Sequence, residues 1–336
     1  MKKPLIKFLA FILFFFNFII VNAQDSITVG LGTTPEIPKI GLVLSGGAAR
    51  GIAHIGVLKV MEECGIIPDY ITGTSMGSII GALYALGYSP DEIEKMVVEM
   101  DWVDIMSDEL NYKEIDIFWK QDYPELPLKM SLSFYELPTL PNGIIQGQKV
   151  LNLFQNLTWR SNLDSSFSCF PIPFKCVATD LVSGKPIIFD RGNLAMAMRS
   201  SMSLPSIFSP VLLDSMILVD GGILRNYPIL ECKEMGADII IGSLTGYEGD
   251  KNPKHIRTLI DILTRSAILQ SVKEANELIP LLAVNIVPEV TKIGPENFLK
   301  GPELIKLGEE AARNPEIYKT LQKIGAAQNH TKIRIR

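Results

Sequence analysis

Histidine is scarce in this chain, with three in 336 residues: His54, His255 and His330. Cysteine is nearly as rare, four in all (Cys64, Cys169, Cys176 and Cys232), and no C-x-x-C pair occurs. Together these absences exclude a zinc-ligand pattern, and no metal site or other cofactor is expected. Cys169 and Cys176 flank Phe-Pro-Ile-Pro-Phe, an extended run that holds them beyond the ~7 Å Cα separation a disulfide tolerates. Four free thiols are therefore expected. Basic excess is missing too: 32 Lys and Arg stand against 37 Asp and Glu, a net charge of −5, which argues against nucleic acid as a partner. There is no internal repeat, no low-complexity stretch and no linker, so a single domain is expected over residues 39–313. Nothing in the sequence sets an oligomeric state.

The one conspicuous apolar run lies at the start. Lys2, Lys3 and Lys7 precede Phe8–Val21, and Val21-Asn22-Ala23 offers small residues for cleavage. This is the layout of a secretory signal peptide over residues 1–23, and export to the periplasm, the cell surface or the medium is expected. At about 1.5 Å per residue the run spans roughly 21 Å, short of the ~30 Å of a bilayer core; an uncleaved anchor is the alternative. Residues 24–38 read as an exposed leader and 314–336 as a C-terminal tail, in which Thr331–Arg336 alternates as the beginning of a strand would.

Between these ends the pattern is α/β. Ile40–Leu44 is a short, wholly apolar strand of the kind buried in a parallel sheet, and Arg50–Cys64 carries apolar residues at helical spacing. Asp69–Thr72 reads as a second strand, Ser78–Leu86 as a small-residue helix, and Ser89-Pro90-Asp91-Glu92 as a capping box opening another. Strands at Phe174–Thr179, Met216–Val219, Asp238–Leu244 and Leu281–Val287 alternate with helices near 146–157, 193–201, 228–235, 256–277 and 302–313. The order predicts an α/β fold built on a sheet with right-handed crossovers. Residues 102–146 break it: Trp102, Phe118, Trp119, Tyr123 and Tyr135 lie among prolines without period, either as an irregular insertion or as a lid or lipid-facing wall.

Two glycine-framed segments carry the chemistry. Gly73-Thr74-Ser75-Met76-Gly77 is a G-x-S-x-G pattern between an apolar strand and a helix, the context in which a serine hydroxyl is held exposed on a strained turn. Ser45-Gly46-Gly47-Ala48-Ala49-Arg50-Gly51 opens the preceding helix. It lacks the G-x-G-x-x-G and G-K-[ST] spacings of nucleotide loops and instead offers a row of backbone N–H groups for an oxyanion, around Gly46, Gly47 and Ala48. Arg50 either orients this loop or faces a phosphate-bearing substrate. A serine needs a base. His54 lies on an apolar helix face and reads as a core residue. His255 would complete a Ser75…Asp220…His255 order. Asp220, ahead of Gly221 and Gly222 at a strand end, is the direct alternative and needs burial to raise its pKa.

With those three motifs in order, the chain resembles the bacterial patatin-like phospholipases, whose pattern is G-G-G-x-[RK]-G, then G-x-S-x-G, then D-G-[GA]. Ala53–Leu58, Ala178-Thr179-Asp180 and Arg199-Ser200-Ser201 before Pro205 also resemble stretches of that family; the likeness runs over residues 39–245 and, more loosely, through the helices to about residue 313. It implies a single-domain, three-layer α/β/α fold around a mostly parallel sheet, and hydrolysis of acyl-ester lipids through an acyl-enzyme, with transient contact with a membrane surface. Ser75 would be the nucleophile, Asp220 the base without histidine, and the 46–48 backbone the oxyanion hole, with Arg50, Gly51, Gly73, Gly77, Gly221 and Gly222 supporting the motifs. Ala48 departs from the third glycine; its N–H survives, but its methyl is strained if φ is positive. Some members place this domain ahead of an outer-membrane barrel, which the Thr331–Arg336 alternation would suit. A catalytically silent interaction module on the same fold is the remaining alternative.

Overall fold

Ile40–Leu44 carries no polar side chain and all five residues are buried, so this strand, β1, has to be covered on both faces. The computed structural model describes residues 38–107, 143–159, 161, 166–246 and 259–334. Residues 1–23, read above as a signal peptide, residues 24–37 of the expected leader, His255 and the aromatics Phe118, Trp119, Tyr123 and Tyr135 lie outside the described residues.

After β1 a short 3₁₀ segment, Ala48–Ile52, leads into α1 (Ala53–Glu63). β2 (Tyr70–Thr74) passes through a single residue into α2 (Met76–Ala85). The expected capping box opens α3 (Pro90–Glu99): the Ser89 hydroxyl accepts the Glu92 N–H while the Glu92 carboxylate accepts the Ser89 N–H. There follow α4 (Trp102–Ser107), β3 (Gly143–Ile145), α5 (Gln148–Leu157), β4 (Phe174–Asp180), β5 (Lys185–Phe189) and α6 (Leu194–Ser201). Next come β6 (Ser206–Phe208), β7 (Val211–Leu213), β8 (Met216–Asp220), α7 (Ile229–Glu234), β9 (Ile239–Ser243) and α8 (Leu259–Leu278). β10 (Val284–Ile286), α9 (Gly301–Ala312) and α10 (Pro315–Arg334) complete the described chain.

The main sheet runs β10–β9–β1–β2–β4–β8–β7, with β5 paired to β4, and β3 and β6 form a separate two-stranded ribbon. From β10 to β4 all pairings are parallel; β5 and β8 pair antiparallel with β4, and β7 pairs antiparallel with β8. The pleat of β1 sends Ile40, Leu42 and Leu44 into the larger core with α1, α2 and α9, and Val43 into a smaller one with α7 and α8. Helices on both faces make this the expected α/β/α sandwich. α1 and α9 cross closely: a side chain at Gly56 would strike the Ile305 carbonyl, and one at Gly308 the Ala53 carbonyl.

Two expectations are corrected. Within the expected C-terminal tail, Pro315–Arg334 is a helix that packs on the domain, with Leu321 and Ile324 in the larger core. Gln328 bonds both backbone groups of Ile67. The Thr331–Arg336 alternation is therefore not strand as far as Arg334. The cysteines are free.

Register places the chemistry. Thr74 pairs with Val177 across β2 and β4, and Ala178 pairs with Asp220 across β4 and β8. Ser75 and Asp220 thus end their strands at one level, two strands apart, because β8 enters antiparallel. Directly opposed residues share a face, so the small Ala178 leaves the Asp220 carboxylate room to reach across.

Candidate active site

Ser75 sits alone between β2 and α2 with φ 52° and ψ −124°, a conformation that costs a non-glycine residue on the order of 1–3 kcal/mol. The surroundings hold it there. A methyl at Gly77 would collide with the Leu44 carbonyl, so the start of α2 lies directly on the end of β1. Gly73 in turn lies against Gly77, and Gly51 against the Met76 side chain. The Ser75 N–H donates to Ser201 Oγ at 2.9 Å, and the Ser201 hydroxyl donates to the Val177 carbonyl at 2.6 Å. Position at the N-cap of α2 adds the partial positive charge of a helix start.

The Ser75 hydroxyl donates to Asp220 Oδ2 at 2.7 Å, and Asp220 Oδ1 accepts the Gly222 N–H at 2.7 Å. Ser75 is 8 % exposed and Asp220 5 %. Burial pushes the Asp220 carboxyl up to about 6, against the opposing hydrogen bonds from Ser75 and Gly222. Gly221 lies against the Val177 carbonyl, which turns the chain sharply after Asp220.

The glycine loop lies alongside. A side chain at Gly46 would strike Asn226 Oδ1 and approach Ser75 Cβ, so only glycine lets the loop come this close. Of the three expected donors, Gly46 is corrected: its N–H donates to the Asn226 carbonyl at 3.2 Å. Among the described residues no acceptor is bonded to the Gly47 or Ala48 N–H, which leaves these two for an oxyanion. Ala48 has φ 49°, the strained case anticipated for a methyl at this position. Arg50 orients the loop: its Nε donates to the Ile293 carbonyl at 2.7 Å and an Nη to the Thr291 carbonyl at 3.3 Å, while the Ala49 N–H donates to the Pro295 carbonyl.

His54 is a core residue. Its Nδ1 lies 2.8 Å from Ser243 Oγ and its Nε2 2.9 Å from the Ser45 carbonyl. Burial drives its pKa down to about 4, against the bond to Ser45, so the ring is neutral at pH 7. Among the described residues no three His, Cys, Asp or Glu side chains cluster as a metal site.

Ser75, Asp220 and the loop open into a cavity of about 840 Å³, within the ordinary range for ligand sites of about 300–1,000 Å³. Its walls are chiefly apolar, with Ile80, Leu83, Met96, Phe154, Leu157 and Phe208 among them. Both described ends of the irregular 102–146 segment contribute, through Trp102, Ile105, Met106 and Ile145; residues 108–142 lie outside the described residues. Trp102 stacks on Phe298 at 4.6 Å. Sequence reasoning gave no role to Ser201, although it quoted the stretch containing it. It also missed Asn226 and the Thr291–Pro295 segment, which carry no pattern of their own.

Fold and site together define a class: a three-layer α/β protein with a buried serine–aspartate pair at a strand-to-helix turn. Residues 42–233, more than half the chain, match the family model for patatin-like phospholipases, and the chain belongs to that family. It is 29 % identical over 236 residues to an uncharacterized NTE family protein of Mycobacterium bovis, covering 68 % of this chain and 56 % of that one. It is 31 % identical over 215 residues to the lysophospholipase NTE1 of Debaryomyces hansenii, covering 64 % of this chain and 12 % of that one. The crystal structure of VipD from Legionella pneumophila aligns over 85 % of this chain and 67 % of its own, with 14 % identity and a TM-score of 0.43. The chain spans about half the length of the mycobacterial relatives it matches.

Proposed function

We propose that this protein is a serine hydrolase of acyl-ester lipids working through a Ser75–Asp220 dyad. The observation that carries the reading is the 2.7 Å hydrogen bond from the Ser75 hydroxyl to the Asp220 carboxylate at the wall of a mainly apolar cavity. Asp220 takes the hydroxyl proton as Ser75 Oγ attacks the ester carbonyl. The negative charge then forming on the carbonyl oxygen accepts hydrogen bonds from the Gly47 and Ala48 N–H groups, each such donor being worth about 3–4 kcal/mol at the transition state. Collapse of the intermediate expels the alcohol, which receives the proton from Asp220 and leaves the acyl group on Ser75. Water, deprotonated by the same carboxylate, releases the fatty acid. A base with its pKa near 6 suits proton transfer near neutrality better than an ordinary aspartate.

The apolar walls favour a fatty acyl chain. Arg265, Lys292 and Glu296 also line the cavity, adding charge of both signs to its mainly apolar walls. Family membership and the lysophospholipase named among the relatives support the same substrate class.

The test is hydrolysis of a p-nitrophenyl ester and of phospholipid vesicles by purified protein. Ser75→Ala and Asp220→Asn are each expected to lose at least about 10³-fold in kcat while keeping the wild-type circular dichroism spectrum, and wild-type turnover should rise with pH through about 6. His255→Ala is expected to keep most of the activity. Full activity in either dyad variant, or failure of the wild type to form a Ser75 adduct with a fluorophosphonate, would overturn the reading.

A further inference from the structure

Gly46 is gripped at both of its backbone groups by one residue. Its N–H donates to the Asn226 carbonyl at 3.2 Å, and its carbonyl accepts from Asn226 Nδ2 at 3.4 Å. The Asn226 carboxamide is enclosed by glycines: a side chain added at Gly46, Gly222 or Gly246 would in each case meet it first or second. Asn226 is also anchored from behind, its N–H donating to Ser271 Oγ on α8 at 2.7 Å. Its neighbour Arg225 donates its own N–H to the Gly221 carbonyl at 2.7 Å, accepts the Thr74 hydroxyl at 2.9 Å, and pairs with Glu231 and Glu274.

Asn226 thus stands on the short loop that begins at Asp220 and holds the loop that carries the oxyanion donors. It lines the same cavity as both. Its main-chain carbonyl takes the Gly46 N–H, while among the described residues no acceptor is bonded to the next two N–H groups of the loop. We propose that Asn226 is a positioning residue of the reaction, fixing the distance and facing of the Gly47 and Ala48 donors relative to the Ser75–Asp220 pair. The role differs from contact with substrate. Misplacement of a donor by about 1 Å is enough to cost about 10²-fold in rate, and the loss falls on the transition state, where the charge develops, rather than on binding.

This inference rests on the proposed Ser75 chemistry, and the experiment separates the two. Hydrolysis of p-nitrophenyl butyrate is measured for wild type, Ser75→Ala, Asn226→Ala and the isosteric Asn226→Asp. Activity in the wild type but not in Ser75→Ala establishes the chemistry independently of Asn226. Both Asn226 variants are then expected to lose 30- to 300-fold in kcat, an order set by the same geometric sensitivity, with KM within threefold. Asn226→Ala should keep the wild-type pH midpoint. Asn226→Asp keeps the shape but loses the Nδ2 donor to Gly46, and its added charge should move the midpoint upward. A folded variant of either kind with kcat within twofold of wild type would overturn the proposal. So would a loss that appears wholly in KM, or that returns in full when the assay is cooled below a lowered melting temperature.

Discussion

Two residues of the candidate site bear a backbone that glycine would adopt more readily, and their reasons differ. Ser75 at φ 52° cannot be relieved without losing the hydroxyl. Ala48 at φ 49° contributes only its N–H, and its methyl has no bonding role. A left-handed alanine costs about 1–2 kcal/mol relative to the ordinary region, against which glycine's extra chain entropy is smaller at a turn. Ala48→Gly should therefore raise stability by about 1 kcal/mol, read as an increased urea midpoint with unchanged slope, and leave kcat within a few-fold. A lowered midpoint would show that the methyl packs usefully. At this scale the sequence was legible wherever a side chain announces chemistry. Ser75, Asp220 and the departure at Ala48 all stood out. The loss of Gly46 as a donor could not be read, because it depends on where the Asn226 carbonyl points after folding.

Among the elements, strands and capped helices followed the pattern closely, since β1 is apolar on both faces and Ser89 carries its own box. α10 was missed although Ile317, Leu321, Ile324 and Gln328 recur at helical spacing; the lysines and polar residues between them masked a narrow apolar stripe. The crossing of α1 and α9 was equally hidden, because a glycine in a helix reads as a weak point until its neighbour is known. Gly56 and Gly308 there admit backbone carbonyls of the other helix. Backbone cannot yield as a flexible side chain does, so Gly308→Ala should cost about 1–3 kcal/mol, the usual penalty for overpacking. Since α1 begins directly after the oxyanion loop, activity should fall with it. Thermal melts with parallel rate measurements check this, and a neutral Gly308→Ala would show that the helices can part freely.

For the molecule as a whole, two buried groups set opposing pH dependences. His54, moved from 6.5 down to about 4, resists protonation when folded. Its contribution is lost as pH falls from about 6.5 to about 4, by about 3 kcal/mol. Asp220, moved from 3.8 up to about 6, prefers its proton when folded. Stability from that group is present below about 4 and is lost as pH rises through about 6, again by about 3 kcal/mol. In wild type these two effects nearly cancel between pH 4 and 6.5. Asp220→Asn removes one of them. The variant should be more stable than wild type by about 3 kcal/mol at pH 7.5, an advantage shrinking to almost nothing near pH 4. Urea titrations at both pH values measure it, and equal stability at pH 7.5 would contradict the argument. The site is in this sense a cost the fold carries for its reactivity. The cavity wall has a different consequence. Trp102, Ile105, Met106 and Ile145 shape the chamber from a stretch of chain that holds neither Ser75 nor Asp220. On the proposed chemistry, substitutions at these four wall positions would change which acyl tails fit while leaving Ser75 and Asp220 untouched.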